Sequence, residues 1–173
     1  VESLDSDTNV SGTFTSNATW QNATIQFAGT GPVKVTIDDD DFANELSLNL
    51  EVIDAKNITA YGELDSYKNN VLLNDITMNS NASFYLSNAT LYGNGFTFDV
   101  SKGAYNSSGY LSGDYLVSLS NANLDNVKIT GAVYTQYGAT RDVDYNRATV
   151  YSAGSNTISN SYISNCAAPV RVN

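Results

Sequence analysis

Apolar and polar residues alternate at every second position through much of this chain, and that pattern limits what it can become. Val33, Val35 and Ile37 alternate with Lys34 and Thr36; Leu46, Leu48, Leu50 and Val52 alternate with Ser47, Asn49 and Glu51. Phe96, Phe98 and Val100 follow the same rule. Successive side chains of a strand point to opposite faces, so a period of two marks a strand with one face buried. Val, Ile, Thr, Tyr and Phe add β propensity. No window carries apolar residues at the i, i+3, i+4, i+7 spacing of an amphipathic helix. Asn, Asp, Ser and Gly interrupt the runs about every 8–12 residues, as turn residues do. The expected fold class is all-β.

Two architectures compete for these strands. Four segments share the form apolar-x-Asn-x-x-apolar: Trp20-Gln-Asn22-Ala-Thr-Ile25, Leu86-Ser-Asn88-Ala-Thr-Leu91, Leu119-Ser-Asn121-Ala-Asn-Leu124 and Ile158-Ser-Asn160-Ser-Tyr-Ile163. In a parallel β-helix such an Asn stacks from rung to rung at a turn. In an antiparallel sandwich it marks a bulge or turn within a strand pair. The gaps between these Asn residues are 66, 33 and 39, whereas a solenoid wants a near-constant period. The long alternating runs of the first half suit antiparallel strands. The sequence therefore favours an antiparallel β-sandwich, with a parallel β-helix as the alternative, strongest from Asn121 to Val172.

Residues 1–16 read as an N-terminal arm and residues 17–173 as a single head. The arm is acidic up to Ser11 and then alternates through Val10-Ser-Gly12-Thr-Phe14. It is an ordinary first strand, or a donor strand that adds to a neighbouring sheet with Val10, Gly12 and Phe14 turned into the groove.

Composition narrows the function. The formal net charge is −10 and only eight Lys and Arg are present, which leaves no basic patch for nucleic acid or an anionic membrane. No run of about 18 apolar residues is present to span a membrane, and these residues include no basic segment followed by an apolar one of the signal-peptide type. The chain is read as the mature form of an exported protein. Histidine is absent, which excludes a Ser-His-Asp triad and histidine-ligated zinc. The lone cysteine, Cys166, cannot form an internal disulfide and is expected to be a buried, inert thiol.

Seven Asn-x-Ser/Thr triplets are candidate N-glycan acceptors: Asn9, Asn17, Asn22, Asn57, Asn81, Asn88 and Asn106. A chain holding 22 Asn, 20 Ser and 16 Thr produces about 4.6 such triplets by chance, so the excess is mild. An occupied acceptor must face solvent, which points to an extracellular, cell-surface glycoprotein.

An exported, sequon-dense, His-free all-β chain with a strand-like arm resembles the pilins of archaeal thread-type filaments. The resemblance is one of overall character and rests on the sequons and on Val10 to Phe14. It implies pilin-like β-sandwich heads, identical subunits joined head to tail by donor-strand complementation, N-linked glycans, and a role in adhesion rather than catalysis. The lone Cys166 departs from disulfide-stapled pilins.

Other chemistry is thinly marked. Asp38, Asp39, Asp40 and Asp41 form a candidate calcium site or a solvated turn. Asp5-Ser-Asp7-Thr-Asn9 and Asp142-Val-Asp144-Tyr-Asn146 begin like calcium loops, but Val10 and Arg147 stand where the turn glycine belongs. Arg141 beside Asp142 and Asp144 is the cluster that a β-helix polysaccharide-active enzyme would use. A virion or envelope coat glycoprotein is a further alternative.

Overall fold

The computed structural model describes residues 2–4, 10–16, 23–37, 46–80, 82–103, 115–131, 148–166 and 168–173. The chain forms two compact units, Val1–Asp54 and Ala55–Asn173. The division falls at 54/55, where the sequence reading sets one at 16/17. Among the described residues no helix is long and apolar enough to cross a membrane.

The first unit contains β1 (Glu2–Ser3), β2 (Ser11–Ser16), β3 (Ala23–Ala28), β4 (Gly31–Ile37) and β5 (Leu46–Val52). The alternating runs of the sequence become β4 and β5, paired antiparallel from Gly31↔Val52 to Ile37↔Leu46. β1 adds to the far side of β4 through Glu2 and Ser3, with the Leu4 N–H donating to the Pro32 carbonyl at 3.0 Å, giving the order β1-β4-β5. β2 and β3 pair antiparallel with each other from Ser11↔Ala28 to Ser16↔Ala23. Val33 and Val35, on one face of β4, meet Val10 and the half-buried Ile25, Phe27 and Val52 in one apolar cluster.

The second unit is built differently. Its strands are β6 (Lys56–Ile58), β7 (Asn70–Leu72), β8 (Ile76–Thr77), β9 (Phe84–Ser87), β10 (Thr90–Tyr92) and β11 (Thr97–Asp99). They continue as β12 (Tyr115–Ser120), β13 (Asn123–Asp125), β14 (Lys128–Thr130), β15 (Ala148–Ala153), β16 (Thr157–Ser159), β17 (Tyr162–Ser164) and β18 (Val170–Val172). A 3₁₀ turn, Tyr61–Glu63, lies between β6 and β7. Three sheets result: β9-β12-β15-β18, β6-β7-β10-β13-β16 and β8-β11-β14-β17. All of their pairings are parallel. The chain visits the three sheets in turn and returns one rung further on, which is a parallel β-helix.

The antiparallel sandwich expected of the head is therefore corrected for residues 55–173. The β-helix alternative holds there, and it begins well before Asn121. Two features hid it. The rung is not constant: Ile76 pairs with Phe98, Phe98 with Ile129 and Ile129 with Ile163, and each of these steps is longer in sequence than the one before. The step lengthens because the sequence between β11 and β12, and that between β14 and β15, is longer than the sequence between β8 and β9. The Asn motif also belongs to two corners. Asn88 and Asn121 turn the chain from the first sheet to the second, whereas Asn160 turns it from the second to the third, with Asn126.

Those corners explain the asparagines. Each needs one residue in the left-handed region, which Asn tolerates better than other residues with a side chain. Asn88, Asn94, Asn121, Asn126, Asn160 and Asn165 have φ between 49° and 52°. Gly154 takes the place of Asn121 one rung on, with φ 85°. Its hydrogen leaves room for Asn121 Oδ1, which would lie 2.5 Å from a Cβ at that position. Asn121 Oδ1 instead accepts the Ser155 N–H at 3.0 Å, and Asn123 Oδ1 accepts the Thr157 N–H at 2.9 Å. Rung is tied to rung at the corners by side chains as well as by the sheets.

Inside the coil the inward residues stack in columns: Leu86 on Leu119, Leu91 on Leu124 and Phe98 on Ile129. All six are buried. Each such side chain removed from water stabilises the fold by roughly 1.5–3 kcal/mol. At the last rung Ile158 and Ile163 are only half-buried.

Candidate ligand-binding face of the β-helix

The strands β9, β12, β15 and β18 place an aromatic and hydroxyl face on the outside of the coil. Alternation dictates which residues stand there. Phe84, Leu86, Val117, Leu119 and Val150 are buried, so the residues between them point away from the core. Tyr85, Ser118, Tyr151 and Arg171 form one row in register across the four strands. Ser87, Ser120 and Ala153 form a second row. Neighbouring strands lie about 4.8 Å apart, which sets Tyr85 and Tyr151 roughly 10 Å apart along the coil axis.

Two further tyrosines complete the face. Tyr115 stacks on Tyr151, with ring centroids 3.9 Å apart and planes at 7°. Tyr67 meets Tyr85 edge-on, with centroids 6.2 Å apart at 71°. Tyr67 sits on a turn held from below by the buried Asn70. The Asp65 N–H donates to Asn70 Oδ1 at 2.9 Å, and Asn70 Nδ2 donates to the carbonyls of Asp65 and Lys68 at 2.8 and 2.7 Å. The Tyr67 N–H donates to Asp65 Oδ1 at 2.9 Å, and the Ser87 N–H donates to the Ser66 carbonyl at 2.8 Å, which ties the turn to β9. Tyr67 is nonetheless 71% exposed and Tyr85 41% exposed. These rings are held from the backbone side and open to solvent on the other.

The electrostatics are nearly neutral. β9, β12, β15 and β18 contain no carboxylate, in a chain of net charge −10. Hydrogen bonds from the hydroxyls of Ser87 and then Ser120 hold the Tyr85 phenol below its ordinary pKa of 10.0. Rigid tyrosine rings supply flat amphipathic area at little entropic cost, and serine hydroxyls both donate and accept. Such a face can stack on the apolar side of a sugar ring while exchanging hydrogen bonds with its hydroxyls.

The residues singled out in the sequence fall elsewhere. Asn57 is exposed on β6, and Asn88 is exposed at its corner, with Nδ2 donating to Ser87 Oγ at 3.2 Å. Asn9, Asn17, Asn22, Asn81 and Asn106 lie outside the described residues, as do Asp5, Asp7, Asp38, Asp39, Asp40, Asp41, Arg141, Asp142, Asp144 and Asn146. Val10 is buried in the apolar cluster of the first unit. Gly12 and Phe14 belong to β2, opposite Phe27 and Ile25 of the same chain. Cys166 is a free, half-buried thiol. Among the described residues no three His, Cys, Asp or Glu are grouped to hold a metal ion.

The tyrosine face was missed in the sequence although a signal for it existed. Tyr85, Ser118 and Tyr151 are spaced by 33 and 33, the period of the rungs themselves. The spacing of Asn88 and Asn121 carries the same 33, but the next member is Gly154, so counting asparagines alone loses the series.

The fold and this face together define an all-β protein with a parallel β-helix and a tyrosine and serine surface on which Tyr67 and Tyr85 are exposed, Ser118, Ser120 and Tyr151 half-buried and Ser87 buried. Compared with protein-family models, curated proteins and solved structures, the chain matches none.

Proposed function

We propose that this chain is a structural and adhesive protein of a glycosylated extracellular surface rather than an enzyme, and that its β-helix presents Tyr67, Tyr85, Tyr151 and the intervening serines to a neutral glycan. The observation that supports the reading is the exposure of Tyr67 and Tyr85, whose positions are fixed by Asn70 and by strand register, in line with the half-buried Tyr151. A coil whose corners interlock through asparagine side chains is a stiff support, and stiffness lowers the entropic cost of binding. Neutral sugars suit the face because a polyanion would be repelled by the chain's net charge. Asn57 and Asn88 are exposed acceptors and carry N-glycans in this reading.

The test is binding of neutral polysaccharides by the purified protein. Tyr85→Ala and Tyr151→Ala should each weaken binding at least several-fold while leaving thermal unfolding nearly unchanged. Undiminished binding by the double variant sinks the reading. Cleavage of the polysaccharide, lost on replacing Asp142 or Asp144, would favour the enzymatic alternative instead.

Head-to-tail assembly through residues 1–16 belongs to the same structural role and has its own requirement. β2 would have to exchange its ladder with β3 for one on a neighbour, and Val10 would have to leave its apolar cluster. That exchange is balanced only if the neighbour returns equivalent hydrogen bonds and burial. Assembly that persists after deletion of residues 1–16 excludes it.

A further inference from the structure

The outer strand of the first unit leaves large apolar side chains exposed, and what they could do does not rest on the glycan reading. β5 is the terminal strand of its described sheet. Residues directly opposite in an antiparallel pair share a face. Leu50 stands opposite Val33 and Leu48 opposite Val35. Val33 is 0% exposed, yet Leu50 is 42% and Leu48 48% exposed on that same face. The apolar cluster reaches β5 at Val52 but leaves Leu48 and Leu50 largely uncovered.

Edge strands are ordinarily protected by Lys, Pro, a bulge or brevity. β5 has no Lys, no Pro and no bulge along its seven residues, and its one charge is Glu51. Its sequence, Leu-Ser-Leu-Asn-Leu-Glu-Val, runs in unbroken register with β4. On the opposite side of the sheet the described residues of β1 pair with β4 at Lys34 and Val33, and the Leu4 N–H donates to the Pro32 carbonyl.

We infer that β5 pairs antiparallel with β5 of a second copy of this chain, about a twofold axis through Asn49. The sequence of the strand is what selects this partner. With Asn49 facing its own copy, Leu46 falls opposite Val52, Leu48 opposite Leu50 and Ser47 opposite Glu51. Every apolar residue meets an apolar residue and every polar residue a polar one. Glu51 faces a serine, not a second Glu51, so the pairing carries no like-charge contact across the axis. A register shifted by one residue would place leucines opposite polar groups and turn one apolar row to solvent. The two sheets join as β1-β4-β5-β5-β4-β1, and each copy covers the exposed Leu48 and Leu50 of the other. The contact is isologous and closes on itself, so by itself it gives a dimer, not a filament. One such short edge is small beside standard interfaces, which makes the dimer concentration-dependent.

Sedimentation of the full chain over a wide concentration range should show a shift from monomer to dimer mass. Leu48→Lys should remove that shift while the circular dichroism of the fold is retained. Asn49→Cys supplies a measurement that does not depend on affinity. Paired residues on the twofold axis have Cα atoms about 4.5–5.5 Å apart, within disulfide range. Asn49→Cys should therefore cross-link to a covalent dimer under mild oxidation, well above the wild-type background from Cys166, whereas Ser47→Cys should not. A wild-type protein that stays monomeric at all concentrations, a dimer unchanged by Leu48→Lys, or equal cross-linking of the two cysteine variants overturns the inference.

Discussion

The two units solve the burial of apolar surface in opposite ways. Among the described residues of Val1–Asp54 the apolar side chains lie mainly on antiparallel strands, and the enclosed cluster is small, with Val10, Val33 and Val35 at its centre. In Ala55–Asn173 most strands are far shorter, yet the coil encloses a continuous column from Ile58 to Val150. Long strands with strong alternation did not produce the larger core. Short strands did, because each corner returns the chain to the same axis and every rung adds inward residues to the last. The difference also sorts the edges: the coil stacks strand on strand, while β5 leaves Leu48 and Leu50 half exposed.

The sharpest way to break that contrast is to shorten one leucine in each unit. Leu124 is fully enclosed between Leu91 and Ile158 of the neighbouring rungs. Leu124→Ala should cost about 3–5 kcal/mol, the transfer term plus a cavity the rigid rungs cannot close. Leu50→Ala, at a half-exposed edge, should cost about 1 kcal/mol or less in dilute protein. Gly93→Ala belongs with the larger effect. A Cβ there would run into the Val127 Cα and the Asn126 carbonyl of the next rung, and backbone cannot step aside cheaply. Denaturant unfolding followed by circular dichroism measures all three. Equal costs for Leu124 and Leu50 would dissolve the distinction between the units.

The corners come next in size. Asn121 holds φ at 49° and its Oδ1 accepts the Ser155 N–H at 3.0 Å. Asn121→Ala loses both the conformational tolerance and the rung-to-rung hydrogen bond, a cost of about 2 kcal/mol. Asn121→Gly restores the backbone tolerance and should recover about half of it. If the two variants are equally destabilised, the left-handed corner is not what the asparagines are there to supply.

These corners also show what the sequence could and could not reveal. Alternation in Val33–Ile37 and Leu46–Val52 led directly to β4 and β5, since a half-buried antiparallel strand writes its period into its residues. The all-β class was legible for the same reason. The coil was legible only as a motif, because its strands are mostly too short to display a period. What repeats is the corner, and Asn and Gly both satisfy a left-handed corner, so Gly154 broke a series that the backbone continues. The longer sequence between β11 and β12 and between β14 and β15 then stretched the step, from that between Ile76 and Phe98 to the longer one between Ile129 and Ile163. The candidate site was less legible still. Tyr85 and Tyr151 are neighbours only through the register of β9, β12 and β15, and nothing local in the sequence states that register.

A smaller effect of opposite sign lies within the coil. Thr149 is fully buried on β15, and its hydroxyl oxygen has no hydrogen-bond partner. A hydroxyl taken out of water without a partner loses its hydration for nothing. Thr149→Val keeps the branched shape and removes the orphaned group, so it should raise stability by about 1 kcal/mol. The gain reads as a higher unfolding midpoint at unchanged denaturant slope. An unchanged or lowered midpoint would mean that the hydroxyl is satisfied in solution.

The smallest expected effect concerns the turn that opens the coil. Glu63 Oε2 accepts the Thr59 N–H at 2.6 Å, the Thr59 hydroxyl at 3.0 Å and the Ala60 N–H at 3.0 Å. The backbone hydrogen bond from Thr59 leads the causes that hold its pKa below the ordinary 4.5, with the Thr59 hydroxyl and Ala60 N–H next. A carboxyl whose pKa is depressed by folding binds its proton more weakly in the folded state than in the unfolded one. Its contribution is therefore fully present above about pH 4.5 and is lost as the pH falls through the lowered value. The group lies at the surface, where water screens it, so the contribution is modest. Glu63→Gln removes the titration. Wild type and variant should differ most near neutrality and converge in acid, as followed by unfolding midpoints between pH 7 and pH 2. A gap that widens in acid would reverse the sign, and a gap independent of pH would mean that the amide replaces the carboxylate at this turn without any charge being involved.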